Sequence, residues 1–194
     1  IQMFAHFDYH LEIDIPNFIF KLNSFLDKNI VIKSINRVLN DAHARFDAIS
    51  REYKYFITQT KDVYNSQTKY FFSKKLNMIE IDKAIDILKK TNNFQSFCRS
   101  KTDVTNYNCD IYDFNYELKN SELIFTISAN RFLRNMVRSL IGTILDIGLL
   151  KISNNDLKII IDKSNRIYAG PSVPAHGLFL TKVEYPKNIF KNEK

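Results

Sequence analysis

Three arginines, Arg131, Arg134 and Arg138, stand among apolar side chains in ANRFLRNMVRSLIGTILDIG, residues 129–148. Their spacing of three and four predicts one helix face, opposite a core stripe of Leu133, Met136, Leu140, Ile144 and Ile147. The arginine face turns apolar in its second half, with Ile141 and Leu145 flanking Gly142, so the predicted helix is buried on both sides there. Cations near a helix N-terminus are disfavoured by a few tenths of a kcal/mol or more. A compensating anion, phosphate or carboxylate, is therefore expected. Arg134 and Arg138, one helical turn apart, have the reach to clamp two phosphates or one carboxylate. The competing reading is a solvated stripe.

A second constellation is HARFDAISREYKY, residues 43–55. It interleaves Arg45, Arg51 and Lys54 with Tyr53 and Tyr55, the pattern of a strand that grips phosphates and stacks bases. The same alternation describes many ordinary edge strands. A third segment, AHGLFLTKVEYP at 175–186, is apolar enough for a core strand.

Other chemistries find little support. His6, His10, His43 and His176 have no ligand-spaced partners, so no metal site is expected. Cys98 and Cys109 make neither a disulfide framework nor a metal pattern and read as reduced thiols. No serine or cysteine sits in a nucleophile elbow. None of the four glycines belongs to a phosphate-cradling loop, and no cofactor is expected.

These residues belong to a chain of 194 with 28 Lys+Arg against 21 Asp+Glu, net charge +7, and 16 Phe with 10 Tyr. Basic charge and aromatic surface together suit a nucleic-acid partner. Genome composition is the alternative source of such a balance. No apolar run approaches the roughly 20 residues of a membrane span, and the two cysteines, read as reduced thiols, set the expectation of a cytoplasmic location. Ile1 is no initiator, so upstream residues are expected to precede it.

The elements expected to position these groups are strands at 2–8, 30–38, 51–59, 70–73 and 176–186, and a hairpin of 109–118 with 121–129 joined through Lys119 and Asn120. Helices are expected at 16–27, 79–90 and 154–163, beside the arginine helix ending at Gly148 as a C′ glycine. Hairpins outnumber crossovers, so the class is α+β with a mixed, mostly antiparallel sheet flanked by helices.

In order along the chain, HARFDA…REYKYFI, NNFQSF at 92–97, ANRFLRNMVRSLIGTIL and AHGLFLTKVEYP resemble one family. These are the bacterial tRNA pseudouridine synthases of the TruA type, which modify the anticodon stem-loop. The resemblance spans about residues 41–186, and FLRNMVR…IGT is its most specific part. It implies the pseudouridine synthase fold, an RNA-binding cleft, a homodimer and a cofactor-free isomerisation. A uridine is flipped out of the RNA, at a cost of a few kcal/mol. An aspartate starts cleavage of the N1–C1′ bond, and the uracil turns and rejoins the sugar through C5.

The resemblance implies that Tyr53 packs on the target base and helps proton transfer, and that Arg138 pairs with the catalytic aspartate and keeps it ionised. It implies RNA contacts for Arg51, Arg131 and Arg134, and Arg45 of the basic segment is expected to join them. Leu178 and Leu180 would line the apolar floor beneath the base. The family's aspartate lies in a G-R-T-D-x-G-V-H-A motif, which no segment here matches. The expectation is that it belongs upstream of Ile1. Residues 1–44 would then be the remnant of an N-terminal half-domain, residues 45–194 the catalytic-fold half, and the chain alone inactive. A non-catalytic domain that grips structured RNA is the alternative.

Overall fold

The computed structural model describes residues 2–100 and 104–191. They form two compact units, one built on Ile49–Glu184 and the other on Phe4–Ala48 with residues 185–191.

The larger unit is a five-stranded sheet covered by helices. Its strands are β1 (Ser50–Thr58), β2 (Tyr70–Phe71), β3 (Ile111–Lys119), β4 (Glu122–Ala129) and β5 (Leu178–Glu184). The order is β2-β1-β4-β3, with β5 also paired to β1. Only β1–β2 is parallel, so the mixed, mostly antiparallel α+β sheet expected from the sequence is present. Strict alternation in β4 buries Leu123, Phe125, Ile127 and Ala129 on one face. Onto that face pack α2 (Met78–Lys89), α3 (Met136–Gly148) and α4 (Asn154–Asp162). Ile81, Ala84, Ile85 and Leu88, repeating at helical spacing, form the buried stripe of α2. Ser153 closes a capping box with Asp156 at the start of α4.

The β3–β4 turn runs through Asn120 and Ser121 rather than Lys119 and Asn120. Both have positive φ, 51° and 64°, the requirement of a two-residue type I′ hairpin. The end of α3 also differs from expectation. Gly148 is its last helical residue, and Leu150 takes the left-handed C′ position with φ 59°. Leu150 N–H donates to the Ile147 carbonyl and Lys151 N–H to that of Asp146, a Schellman closure made without glycine. Gly148 serves packing instead, since a Cβ there would meet Ile81 and Leu76 at under 3 Å.

The smaller unit contains α1 (Ile15–Phe25), with Asp14 accepting at its N-terminus from Asn17 N–H. The strand expected at 30–38 is absent. Asn23 takes a neighbouring strand's place, its amide donating to the Ile32 carbonyl and accepting from Ile32 N–H. Only Val38 bridges another segment, at Phe190. The strand expected at 2–8 also fails to form a ladder. Gln2 alone is tied to β5, by its N–H to the Leu180 carbonyl and by its side-chain oxygen to Val183 N–H, too few bonds for a strand.

Candidate active site

Strand β1 carries the first half of the site. Arg51, Tyr53 and Tyr55 share one face because side chains alternate along a strand. Tyr53 lies between Ile127 of β4 and Leu180 of β5, while Tyr55 lies between Phe125 and Leu178. Leu178 and Leu180 therefore flank the tyrosines across the strand pair. The β1–β5 register shifts between Glu52 and Tyr53, leaving Thr181 unpaired. Thr181 Oγ1–H donates to Glu52 Oε1 at 2.7 Å, so this bulge is fastened beside Tyr53.

The two tyrosines differ sharply in environment. Tyr53 is half-buried, its ring meets Phe132 edge-on at 5.1 Å, and no protein hydrogen bond engages its hydroxyl among the described residues. Burial raises its pKa, partly offset by the charge of Arg51, so it remains a phenol at neutral pH. Tyr55 is 1% exposed and donates its hydroxyl to the Pro174 carbonyl at 2.8 Å. The expectation that both tyrosines present stacking faces is corrected: Tyr55 is a core residue, and only Tyr53 retains an open side.

The second half is the start of α3, and here the sequence reading needs its largest correction. The helix begins at Met136, so Arg131 and Arg134 lie in the preceding loop and share no helix face with Arg138. The backbone of 130–135 is engaged elsewhere. Asn130 N–H donates to the Asp110 carbonyl, and the Arg134 carbonyl accepts from Arg99 N–H. Asn135 then takes the left-handed conformation, φ 68°. Side-chain periodicity cannot register such competing backbone bonds. The burial of the second half of α3 on both sides is as expected, with Ile141, Gly142 and Leu145 all enclosed.

Arg138, in the first turn of α3, is half-buried and donates Nε–H to the Val173 carbonyl at 2.7 Å. Val173 N–H returns a bond to the Arg138 carbonyl at 3.1 Å. Val173 and Pro174 thus hold Arg138 and Tyr55 through consecutive carbonyls. Their loop lies tight on α3, where Gly170 N–H donates to Thr143 Oγ1. Gly142 makes the approach possible, because any Cβ there would collide with the Pro171 carbonyl. Among the described residues, no carboxylate forms an ion pair with Arg138.

The remaining predicted residues are less confined. Arg51 Nη1 donates to the Asn130 carbonyl at 3.2 Å, joining β1 to the loop before α3. Arg131 is half-buried and its charge reaches Cys109, whereas Arg134 is exposed. Arg45 belongs to the smaller unit, where its guanidinium lies 5.5 Å from the Phe46 ring centroid. Sequence reasoning missed Phe132, Asn135, Arg166 and Ser172. The glycine–proline content of the 170–174 segment was their one available signal, a turn packed against something. No group of three or more His, Cys, Asp and Glu side chains among the described residues has metal-holding geometry.

The sequence model of a family described as tRNA pseudouridine synthase matches residues 84–186. A tRNA pseudouridine synthase A of Azobacteroides pseudotrichonymphae is 43% identical over 190 residues, covering 98% of this chain and 76% of the relative. That of Bacteroides fragilis is 42% identical over 191 residues, covering 97% and 76%. The Bacillus subtilis protein of the same name is 36% identical over 182 residues, covering 93% and 74%. These alignments run through both halves of the site, the Tyr53 strand and the Arg138 helix. By this breadth of similarity and by the fold that carries it, the chain belongs to the tRNA pseudouridine synthase A family.

Proposed function

We propose that this chain supplies the base-holding and cation-bearing parts of a site that isomerises uridine to pseudouridine in the anticodon stem-loop of tRNA. The observation that carries the reading is the joint fixing of the two halves. Tyr55 and Arg138 bond consecutive carbonyls at 2.8 and 2.7 Å, which holds the Arg138 guanidinium against the strand bearing Tyr53.

In this reading the flipped uracil rests on Tyr53, over the floor made by Leu178 and Leu180. Arg138 faces an aspartate carboxylate and keeps it ionised, ready to act on the N1–C1′ bond. The detached uracil turns, C5 bonds to C1′, the C5 proton passes to water as base, and N1 takes up a proton in its place, with the Tyr53 phenol beside the ring to relay protons. Arg51, Arg131, Arg134 and Arg45 take RNA phosphates. The carboxylate comes from a GRTD-type segment outside residues 1–194, with residues 1–44 and 45–194 as parts of the two half-domains. The working enzyme is a cytoplasmic homodimer.

Two assays test this reading. Titration with tRNA at low salt should show binding that weakens steeply as salt rises. Tritium release from C5-labelled uridine should be undetectable with residues 1–194 alone and should appear once a GRTD-bearing segment is supplied. Release by the chain alone would show that the nucleophile has been misplaced. Binding that persists while no supplied segment restores release favours the non-catalytic RNA-binding reading. Absence of tRNA binding at low salt overturns both.

A further inference from the structure

Asn135 occupies the N-cap position of α3 yet does not cap it. N-cap residues ordinarily sit in the extended region and turn their side chain back onto the helix. Asn135 is left-handed, makes no capping bond, and sends its amide across to Ser172, Nδ2 to Oγ 2.6 Å. The same hydroxyl oxygen accepts from Arg166 Nη2 at 3.0 Å, and Arg166 Nη1 donates to the Ala169 carbonyl at 3.1 Å. Arg166 is half-buried and forms no ion pair with a carboxylate among the described residues. Three departures from ordinary local preference converge on one serine: a left-handed N-cap, an uncapped helix start and a half-buried cation held by neutral oxygens. Residues that break local rules together in this way are held by a shared requirement of the surrounding structure.

That requirement is legible in the next residue. Val173 follows Ser172 directly, and its carbonyl is the acceptor for Arg138 Nε–H. We infer that Asn135, Ser172 and Arg166 form a positioning node that sets the aim of the Arg138 guanidinium by fixing the Val173 carbonyl. The inference rests on the reading of Arg138 as the working cation of the site. Asn135 bonds the loop from the helix start and Arg166 from six residues earlier in the same connection, so Ser172 is held by two bonds at once. Holding a charged group by packing and hydrogen bonds before its partner arrives is what electrostatic preorganisation demands. None of the three residues need touch substrate.

The experiment follows the Arg138 Nε–H resonance in the full 15N-labelled chain, assigned by its loss in Arg138→Lys. Ser172→Ala removes the shared acceptor. Asn135→Gly removes the side-chain bond while keeping a residue that accepts the left-handed conformation. Each should speed exchange of the Arg138 Nε–H by about tenfold, the factor one hydrogen bond of ordinary net strength supplies. Ser172→Thr, which retains a hydroxyl, should restore slow exchange. Backbone amides of Phe125 and Ile127 in β4 should keep their wild-type protection throughout. Unchanged Nε–H exchange in both Ser172→Ala and Asn135→Gly overturns the node. Equal loosening of Arg138 and β4 assigns those residues a general structural role and overturns it too. The readout needs neither RNA nor turnover, so its failure is distinguishable from failure of the isomerisation assays.

Discussion

Arg138 and Val173 are bonded twice, side chain to carbonyl at 2.7 Å and backbone to backbone at 3.1 Å. The pair joins the first turn of α3 to the loop before β5. It makes the guanidinium part of the scaffold rather than a free side chain on a surface.

Gly142→Ala tests how closely that loop sits on α3. In an open helix the change stabilises by about 0.5–1 kcal/mol. Here the new methyl would collide with the Pro171 carbonyl, so a loss of about 2 kcal/mol or more is expected from overpacking against backbone. Denaturant unfolding measures the sign, and a gain in stability would show that the loop yields freely.

Removing single hydroxyls should separate the two tyrosines of β1. Tyr53→Phe breaks no hydrogen bond within the described residues, so unfolding free energy should stay within about 0.5 kcal/mol of wild type. Tyr55→Phe removes the hydroxyl bond to the Pro174 carbonyl and should cost about 1 kcal/mol. Equal costs would mean that the two hydroxyls share one environment.

Salt dependence should sort the arginines by partner. Substituting Arg51, Arg131 or Arg134 by Ala should each lower the slope of log K for tRNA against log salt by about one, as loss of a phosphate contact does. Arg138→Ala should leave that slope unchanged, since its proposed partner is a carboxylate. The reverse pattern would exchange the two assignments.

Stability should fall in mild alkali through Cys109. Burial pushes this thiol up to about 11, with the charge of Arg131 pulling against the rise. An unfolded chain releases the proton near pH 8.5 or so, about the value of a free cysteine. Above that pH the unfolded state gives up a proton that the folded state keeps. The contribution is therefore full below the unfolded value and is lost as pH rises through the folded one. Urea midpoints of wild type and Cys109→Ala should converge as pH climbs across this window; a constant gap between them would be the contrary result.

The β3–β4 turn offers a stabilising change. Ser121 holds φ 64°, a conformation that costs a non-glycine residue roughly 1 kcal/mol. Ser121→Gly should raise stability by about 0.5–1 kcal/mol, measured by thermal or urea unfolding. A loss would mean that the Ser121 side chain contributes more than its backbone strain removes.

Local patterning alone determined a good deal. The apolar spacing of α2, the alternation of β1 and β4 and the buried second half of α3 were all legible, because each depends on side chains a few residues apart. The family resemblance singled out Tyr53, Leu178, Leu180 and Arg138; the sheet register sets Leu180 beside Tyr53, and the loop before β5 bonds Arg138. What the tertiary structure decided is where backbone groups find their partners. Arg99 claims the Arg134 carbonyl, Asp110 claims Asn130, and Ser172 draws Asn135 out of its capping role, so α3 starts at Met136 and the three-arginine face does not exist. Asn23 likewise satisfies Ile32 in place of a strand. Periodicity records which side chains seek the core; it carries no trace of a distant carbonyl or amide that competes for the same hydrogen bond.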